Sequence, residues 1–409
     1  MLKIVHTVEK FLPDVNGMSE VVRQISRQLV ILGHEVIICT SFCESRNFDY
    51  WEGIRILSFK VKGNAVVGYS GDDIEKYKDY ILKQDYDVLT NFAAQQWATD
   101  LLLDLLQLIT KKKFFVPTGF SALYSPLYSE YFSKMKRWLH EYNKVIFLSG
   151  DYQDINFAKD NFVANCEVIP NGASYEEFQG LSKFDIRSKF NIPLDHKIVL
   201  HVGSFTGYKG HEEALQIFLN SQYKKCSLIF IGQNFYHVDS IWFTSKIRWF
   251  YWLKNLSFYR FSAFKNLLIY IKSILLSKNS NIFLINCDRN TTIEFYKNAD
   301  VFLFPSNIEC SPIVLFESAA SKTMFLTSDV GNAYEIIEWT QGGVLLPTIK
   351  MNNQSNVEIV ESAHILDKYL FDDVSRNNFA LMGNKAWIER FTWEKISLQY
   401  LKLYLSNYL

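Results

Sequence analysis

Residues 300–318 read Asp-Val-Phe-Leu-Phe-Pro-Ser-Asn-Ile-Glu-Cys-Ser-Pro-Ile-Val-Leu-Phe-Glu-Ser. The apolar run 301–304 predicts a buried strand, and Pro305 ends it. Ser311 is a suitable N-cap for a following helix, and Pro312 is suited to the first helical position, where its missing N–H costs nothing. The stretch therefore predicts a buried strand, a short polar loop and a helix.

The beginning of this helix is a candidate anion site, because a helix N-terminus offers backbone N–H groups and a positive dipole end. Glu309 lies just before the terminus, and Glu317 lies five residues after Pro312, about 7 Å further along the axis. Two carboxylates would thus flank one anion site, within reach of different parts of an elongated ligand. Because the chain has 43 acidic residues, the alternative is that Glu317 is an ordinary residue on a solvated face, although its neighbours are mostly apolar or small.

Length and composition limit the class of protein. A chain of 409 residues predicts two domains. A net charge of zero gives no global reason to expect nucleic-acid binding. The six cysteines are scattered without a zinc-binding pattern, which favours reduced thiols in a cytoplasmic protein. The N-terminal residues do not form a signal peptide, and no apolar run approaches the length of a membrane span.

The first half of the chain begins with a strand at 3–8, a helix that Gly33 closes, and a strand at 35–40. This βαβ unit favours a parallel sheet and puts Asn16 and Gly17 at the carboxyl end of the first strand, where such sheets bind ligands. Neither a Gly-x-Gly-x-x-Gly fingerprint nor a Walker A loop occurs, which argues against a nicotinamide or ATP enzyme. Further strands are predicted at 54–59, 86–90, 114–117 and 144–148, with helices at 96–109 and 127–142.

The second half begins with a strand at 198–202 and the loop Gly203-Ser-Phe-Thr-Gly-Tyr-Lys-Gly210. Three glycines and a lysine after a strand suit an anion-binding loop, and a plain turn with a surface lysine is the alternative. Later elements are predicted as strands at 227–231, 282–286, 300–304, 324–327 and 344–346 and an amphipathic helix at 393–408.

The segment 240–280 departs from this alternation. It contains no Asp or Glu, and its lysines and arginines are interleaved with Trp, Phe and Tyr. This composition favours an interfacial helix on an anionic membrane. An inserted helical hairpin that packs on its own domain and a nucleic-acid patch are the alternatives.

Several stretches, taken together and in order, resemble the glycosyltransferases of family 4, which are retaining enzymes with the GT-B fold. The resemblance spans nearly the whole chain. The matching stretches are Asn16–Gly17 with Gly33–Val36, Ile169–Gly172, Gly203–Gly210, Glu309 with Glu317, Gly331–Glu335 with Gly342–Gly343, and Phe391–Trp393.

The resemblance implies an α/β fold of two Rossmann-like domains whose parallel sheets face each other across a cleft. The domains it implies are an acceptor-side domain at 1–172, a linker at 173–196, a nucleotide-sugar domain at 197–390 that carries the insert 240–280, and a terminal helix at 391–409 that crosses back to the first domain.

The resemblance also implies roles for individual residues. Lys209 would neutralise the donor diphosphate, Glu317 would accept hydrogen bonds from the ribose hydroxyls, and Glu309 would act as the catalytic residue that holds the transferred sugar. No metal is expected, because Lys209 and the helix dipole would take its place. The implied donor-binding residues are Asn16, Gly17, Gly203, Lys209, Ser311, Pro312, Ile313, Val314 and Glu317.

Two departures from the family pattern affect this site. Ser204 stands where the family usually has an arginine, so one diphosphate-binding cation is missing. The stretch 116–121 has no histidine where the family often has one near the sugar, and Thr118, Gly119 or Ser121 is left to occupy that place.

The sequence therefore predicts a metal-independent, retaining hexosyltransferase without a cofactor. It would move a sugar from a nucleotide-sugar donor to a saccharide acceptor, lipid-linked, in cell-surface polysaccharide synthesis. The predicted location is cytoplasmic and peripheral, on the inner face of the plasma membrane through 240–280, with no nucleic-acid partner. A GT-B nucleotide-sugar epimerase and a catalytically weak nucleotide-sugar-binding subunit are the alternatives.

Overall fold

The protein is represented by a computed structural model of the whole chain. The basic aromatic segment 240–280, and with it the predicted membrane contact, lies outside the described residues. The residues that the structure describes are 1–14, 16–180, 182–232, 281–351 and 354–407.

The chain forms two compact units, residues 1–172 with 390–409, and residues 173–389. Each unit is built around a sheet of mainly parallel strands. The predicted α/β class is therefore confirmed, since alternating strands and helices produce parallel sheets with buried, apolar strands.

The first unit holds an eight-stranded sheet of order β10-β9-β8-β7-β1-β2-β4-β3. Its pairings are parallel except for β3 with β4, and β5 and β6 form a separate antiparallel hairpin. The strands are β1 Lys3–Thr7, β2 Glu35–Ser41, β3 Tyr50–Trp51, β4 Ile54–Phe59, β5 Lys62–Asn64, β6 Gly68–Ser70, β7 Val88–Phe92, β8 Lys112–Val116, β9 Lys144–Phe147 and β10 Cys166–Val168.

Helices of the first unit pack on this sheet through apolar stripes at helical spacing. In the first helix, Val21, Val22, Ile25 and Leu29 are buried, as their periodicity predicts. The predicted helix 96–109 is shorter in the structure, because its regular part ends at Leu103. The helices are α1 Gly17–Ile31, α2 Ile74–Lys83, α3 Trp97–Leu103, α4 Ser129–Trp138 and α5 Gln153–Asp160, with 3-10 turns at Leu106–Leu108, Pro126–Tyr128 and Leu139–Glu141.

The second unit holds a six-stranded parallel sheet of order β13-β12-β11-β14-β15-β16. A two-stranded antiparallel hairpin, β17–β18, accompanies it. The strands are β11 Lys197–Val202, β12 Cys226–Ile231, β13 Asn281–Ile285, β14 Val301–Phe304, β15 Met324–Thr327, β16 Gly343–Leu345, β17 Thr348–Met351 and β18 Gln354–Val357. The helices are α6 Tyr175–Phe178, α7 Ile186–Phe190, α8 His211–Asn220, α9 Arg289–Asn298, α10 Ile313–Ala320, α11 Ala333–Thr340, α12 Ile359–Phe371 and α13 Asp373–Arg390.

The segment 173–196 is part of the second unit, which differs from its prediction as a linker. Phe178, Ile186 and Phe190 are buried in it. The carboxylate of Glu294 accepts a hydrogen bond from the Lys183 N–H at 3.0 Å. Polar composition suggested a linker, but a few apolar anchors are enough to pack the segment onto α9.

The last helix, α14 (Trp393–Leu405), belongs to the first unit. The Thr392 hydroxyl caps it by accepting from the Lys395 N–H. Its Tyr404 hydroxyl lies 2.7 Å from Thr90 Oγ1 and 3.3 Å from His6 Nε2, both in central strands of the sheet. The chain therefore returns to its first unit after completing the second. Among the described residues, no helix combines the length and apolar character needed to span a membrane.

Candidate functional site

Strand order reverses in the second sheet between β11 and β14. At such a switch point the loops after the two strands leave in opposite directions, and a crevice opens at their carboxyl ends. Gly203–Gly210 follows β11 and Pro305–Pro312 follows β14. The two stretches that the sequence singles out separately therefore lie at one place in the fold.

The two loops bind each other directly. The Ser306 hydroxyl and the Asn307 N–H donate to the Tyr208 carbonyl oxygen at 3.0 and 2.9 Å. Gly210 has a φ of +73°, and a Cβ there would overlap the Pro305 carbonyl oxygen. The last glycine of the loop is thus required by a close backbone approach and by a left-handed conformation.

Lys209 and Glu309 meet at this junction. The Lys209 Nζ lies 2.7 Å from Glu309 Oε1, and the Ser306 Oγ lies 3.0 Å from the same oxygen. A Cβ on Gly203 would lie 3.2 Å from the Lys209 Cβ, so this glycine leaves room for the lysine. The structure thus brings together a cation and a carboxylate that lie 100 residues apart in the sequence.

The backbone of Gly331 packs closely against the loop that carries Glu309. It has a φ of +55°, and a Cβ there would overlap the Cys310 carbonyl oxygen. The Asn332 N–H donates to that oxygen at 2.9 Å. The glycine at the start of the stretch Gly331–Glu335 therefore fixes the backbone that carries Glu309.

The helix after this loop begins one residue later than the sequence predicts. Pro312 is the N-cap residue, with an extended ψ of 108°. The prediction of Ser311 as N-cap and Pro312 as first helical residue is therefore corrected by one position. Half-buried Ile313 and Val314 form the first turn, which carries the positive end of the helix dipole.

Glu317 is buried, with 3% of its surface exposed, so the solvated-face alternative is wrong. Its Oε1 lies 2.6 Å from Arg289 Nη1. Arg289 also pairs with Glu177, whose Oε2 lies 2.8 Å from Nη2. Sequence reasoning missed both partners, because neither lies in a motif and their proximity arises only from the packing of α6, α9 and α10.

Two buried histidines lie beneath the Lys209 loop. His201 Nδ1 is 2.8 Å from the Leu303 carbonyl oxygen, and His211 Nε2 is 3.2 Å from the Gly203 carbonyl oxygen. Burial and, to a smaller extent, the charge of Lys209 lower the pKa of His201 to about 4, although the hydrogen bond with the Leu303 carbonyl oxygen opposes this. Burial and the neighbouring His201 likewise lower the pKa of His211. Both rings are therefore neutral near pH 7 and act as a scaffold for the loop.

The first sheet also has a switch point, between β1 and β7. Asn16 and Gly17 begin α1 beyond β1. The Asn16 Oδ1 accepts from the Ser19 N–H at 2.8 Å, and the Ser19 hydroxyl accepts from the Asn16 N–H at 2.7 Å. This reciprocal capping box engages the Asn16 side chain. Asn16 and Gly17 are themselves exposed.

The loops after β7 and β8 contain non-glycine residues in the left-handed region. Ala93, Gln95, Thr118 and Phe120 have φ values of 63°, 63°, 61° and 49°. This conformation is uncommon, most of all for a β-branched threonine, and it concentrates at functional sites. The stretch 116–121, where the family histidine is missing, therefore has an unusual backbone.

Two buried aspartates hold these strained loops. Asp100 Oδ1 accepts from the Gln95 N–H at 3.2 Å and from the Tyr131 hydroxyl at 2.8 Å. Asp154 Oδ2 accepts from the Gly119 N–H at 2.8 Å. Burial raises the pKa of each carboxyl group to about 6, although the hydrogen bonds oppose that rise. Burying each carboxyl group is unfavourable, and the hydrogen bonds that offset this cost also hold the loop in position.

Within the described part of the chain, no cluster of three or more His, Cys, Asp or Glu side chains is arranged to hold a metal ion.

Comparisons with known proteins follow the same division of the chain. The family model described as Glycosyltransferase Family 4 matches residues 15–177, and the model described as Glycosyl transferases group 1 matches residues 182–369. No curated protein matches the sequence significantly.

Solved structures share the fold over nearly the full length. Sucrose-phosphate synthase from Thermosynechococcus elongatus is 19% identical with a TM-score of 0.75, covering 99% of this chain and 98% of that one. WaaG, a glycosyltransferase involved in lipopolysaccharide biosynthesis, is 17% identical with a TM-score of 0.67, covering 99% and 100%. HepE from Anabaena, solved with UDP-glucose, is 13% identical with a TM-score of 0.68, covering 98% and 99%.

The two family models divide the chain as the structure does, with one mainly parallel sheet in each part. The chain belongs to the group 1 and family 4 glycosyltransferases, and it is a glycosyltransferase of the GT-B fold.

Proposed function

We propose that the protein is a metal-independent, retaining hexosyltransferase that moves a sugar from a nucleotide-sugar donor to a lipid-linked saccharide in cell-surface polysaccharide synthesis. The observation that carries the donor part is the junction of Lys209, Glu309 and the N-terminus of α10 at the β11–β14 switch point. Cation, carboxylate and helix dipole there match the diphosphate and hydroxyl groups of such a donor.

Cleavage of a sugar–phosphate bond develops negative charge on the leaving nucleoside diphosphate. Lys209 and the first-turn N–H groups of Ile313 and Val314 would stabilise that charge, because preorganised donors need little rearrangement as the charge forms. This arrangement would supply what a divalent cation supplies elsewhere, which is the basis for proposing a metal-independent reaction.

The Lys209–Glu309 pair has a consequence for donor binding. A diphosphate that binds Lys209 competes with Glu309 for the same ammonium group, which lies 2.7 Å from Glu309 Oε1. When the ammonium turns toward phosphate, Glu309 gains acceptor capacity for hydroxyls of the transferred sugar. Donor binding would thereby prepare its own sugar subsite.

The acceptor and the location are supported by other observations. WaaG is described as acting in lipopolysaccharide biosynthesis and HepE as binding UDP-glucose, and both share this fold. The lipid-linked acceptor and the inner face of the plasma membrane rest on the basic aromatic composition of 240–280.

The reaction is tested with the full-length chain. A panel of nucleotide sugars is screened by thermal shift, and the donor that stabilises the protein is incubated with saccharide acceptors and followed by NMR. The expected result is acceptor-dependent transfer with the anomeric configuration of the donor retained, unaffected by EDTA. An inverted product, or dependence on a divalent cation, contradicts the proposal.

The same experiment separates the other candidates. Conversion of the donor without any acceptor would identify an epimerase, and binding without turnover would identify a binding subunit. For the membrane part, the full chain is expected to sediment with anionic vesicles and a folded variant lacking 240–280 is expected to remain in solution. Equal sedimentation of both would contradict it.

A further inference from the structure

We propose that Arg289 is a positioning residue for the donor ribose, because it holds the Glu317 carboxylate ionised and in one orientation, with Glu177 as its second anchor. This inference rests on the proposed function, since it concerns the ribose part of the same donor site. Arg289 does not itself have to touch the donor.

The geometry fixes the guanidinium from two sides. Its Nη1 lies 2.6 Å from Glu317 Oε1, while its Nε and Nη2 donate to Glu177 Oε2 at 3.1 and 2.8 Å. Its Cζ also lies 5.5 Å from the centre of the Phe178 ring. A planar fork with contacts on both edges and an aromatic ring on one face has little freedom to rotate.

The backbones that carry these side chains are fixed as well. Arg289 is the first residue of α9, and the Asp288 side chain caps that helix by accepting from the Thr291 N–H at 2.7 Å. Glu177 lies in α6, which the Ser174 hydroxyl caps through the Glu177 N–H at 3.3 Å. Capping of both helices limits the positions from which the two side chains reach Glu317.

Electrostatics explain why a buried carboxylate needs this cation. Removing an ionised carboxylate from water is costly, and a guanidinium in direct contact repays part of that cost. Glu177, Arg289 and Glu317 together carry one net negative charge, which suits a site that accepts hydroxyl hydrogens. Tyr296 also interacts with Glu317 and is fully buried; burial and then Glu317 raise the pKa of its hydroxyl, so it remains neutral.

The proposal has a consequence for specificity. An oriented carboxylate can accept from both ribose hydroxyls, whereas a 2′-deoxyribose offers only one. A site built to bind a hydroxyl rejects the analogue that lacks it, because its buried polar group is then poorly satisfied. The Arg289–Glu317 contact should therefore make the enzyme select ribonucleotide donors.

Isothermal titration calorimetry with UDP, GDP, ADP, CDP and their 2′-deoxy counterparts tests this inference on the full chain. For Arg289→Met we expect affinity for the preferred ribonucleotide to fall about tenfold, while affinity for its deoxy counterpart changes much less. We also expect the variant to bind more weakly at about pH 6 than at about pH 8, because Glu317 without the guanidinium takes up a proton more readily. Arg289→Lys should restore the charge and part of the preference.

Two further variants separate positioning from a general loss of packing. Glu177→Gln removes only the second anchor and should shift the ribose-to-deoxyribose ratio in the same direction by a smaller factor. Arg27→Met is the matched control, because it breaks a comparable ion pair with Glu52, 2.6 Å long, on α1 of the first unit. It should leave the ratio and its pH dependence unchanged.

The outcomes distinguish this inference from the proposed function. If the wild type binds none of the eight nucleotides, the proposed function fails and this inference falls with it. If the wild type binds, but folded Arg289→Met and Glu177→Gln keep its ribose-to-deoxyribose ratio at both pH values, the inference alone is overturned. Equal weakening of ribo and deoxy forms also overturns it.

Discussion

Both units present loops at a switch point of a parallel sheet, yet the loops are stabilised differently. In the second unit, ion pairs between distant residues hold the edge, namely Lys209 with Glu309 and Arg289 with Glu317. In the first unit, strained loops are held by the buried acid groups of Asp100 and Asp154. The paired charges at the second edge suit the charged donor that we propose, and we propose that the loops of the first edge bind the saccharide acceptor.

The largest effect is expected where the second edge depends on a close backbone approach. Gly210→Ala places a Cβ against the Pro305 carbonyl oxygen and keeps a φ of +73°. We expect a loss of roughly 3 kcal/mol in the free energy of unfolding, with loss of donor binding, because the two loops must separate. Chemical denaturation and calorimetry measure both.

Gly207→Ala is the matched control for that loss. Gly207 has a φ of +88° in the same loop, and a Cβ there would meet nothing within 4 Å. This substitution should lower the free energy of unfolding by only about 1 kcal/mol, because the left-handed backbone is then the only source of strain. Equal losses in the two variants would contradict the close approach as the cause.

A smaller effect is expected in the first unit. Burial raises the pKa of Asp154 from 3.8 to about 6, so between these values the folded chain binds a proton that the unfolded chain does not. Through this group the free energy of unfolding rises as pH falls from about 6 toward 4, by an amount on the order of 2 kcal/mol. Asp154→Asn should flatten that dependence and leave donor affinity unchanged.

Denaturation of wild type and Asp154→Asn at about pH 4.5 and about pH 7 checks the sign. Asp100 has a raised pKa of the same origin and remains in both proteins, so the difference between the two proteins isolates Asp154. If the variant keeps the full pH dependence, the raised pKa of Asp154 is not its cause. A fall in donor affinity would contradict the assignment of the two edges to different ligands.

Local sequence signals predicted most of the helices and strands. Glycine spacing, apolar runs and helix starts predicted the βα units and the loops that carry Lys209 and Glu309, because these features act over a few residues. Arg289 and Glu177 were missed because they lie 112 residues apart and meet only after two helices pack. The segment 173–196 was misread because composition does not show that Phe178 and Ile186 find a core.

The strained stretch at 118–120 could not be predicted for a similar reason. Thr118 and Phe120 adopt left-handed backbone only because Asp154, 34 residues beyond Phe120, and neighbouring groups hold the loop from beneath. Nothing local to Val116–Ser121 signals that support, which is why the residue that replaces the family histidine stays a prediction among Thr118, Gly119 and Ser121.

The most direct test of the donor site is calorimetric titration of its preferred nucleotide sugar into wild type, Lys209→Ala and Glu317→Gln. Lys225→Ala and Glu361→Gln serve as controls, since Lys225 pairs with Asp195 at 2.9 Å away from the loops and Glu361 is exposed on α12. We predict that Lys209→Ala and Glu317→Gln each weaken binding by about tenfold or more while both controls bind as wild type does. Wild-type affinity in both Lys209→Ala and Glu317→Gln would contradict a donor site at the β11–β14 switch point.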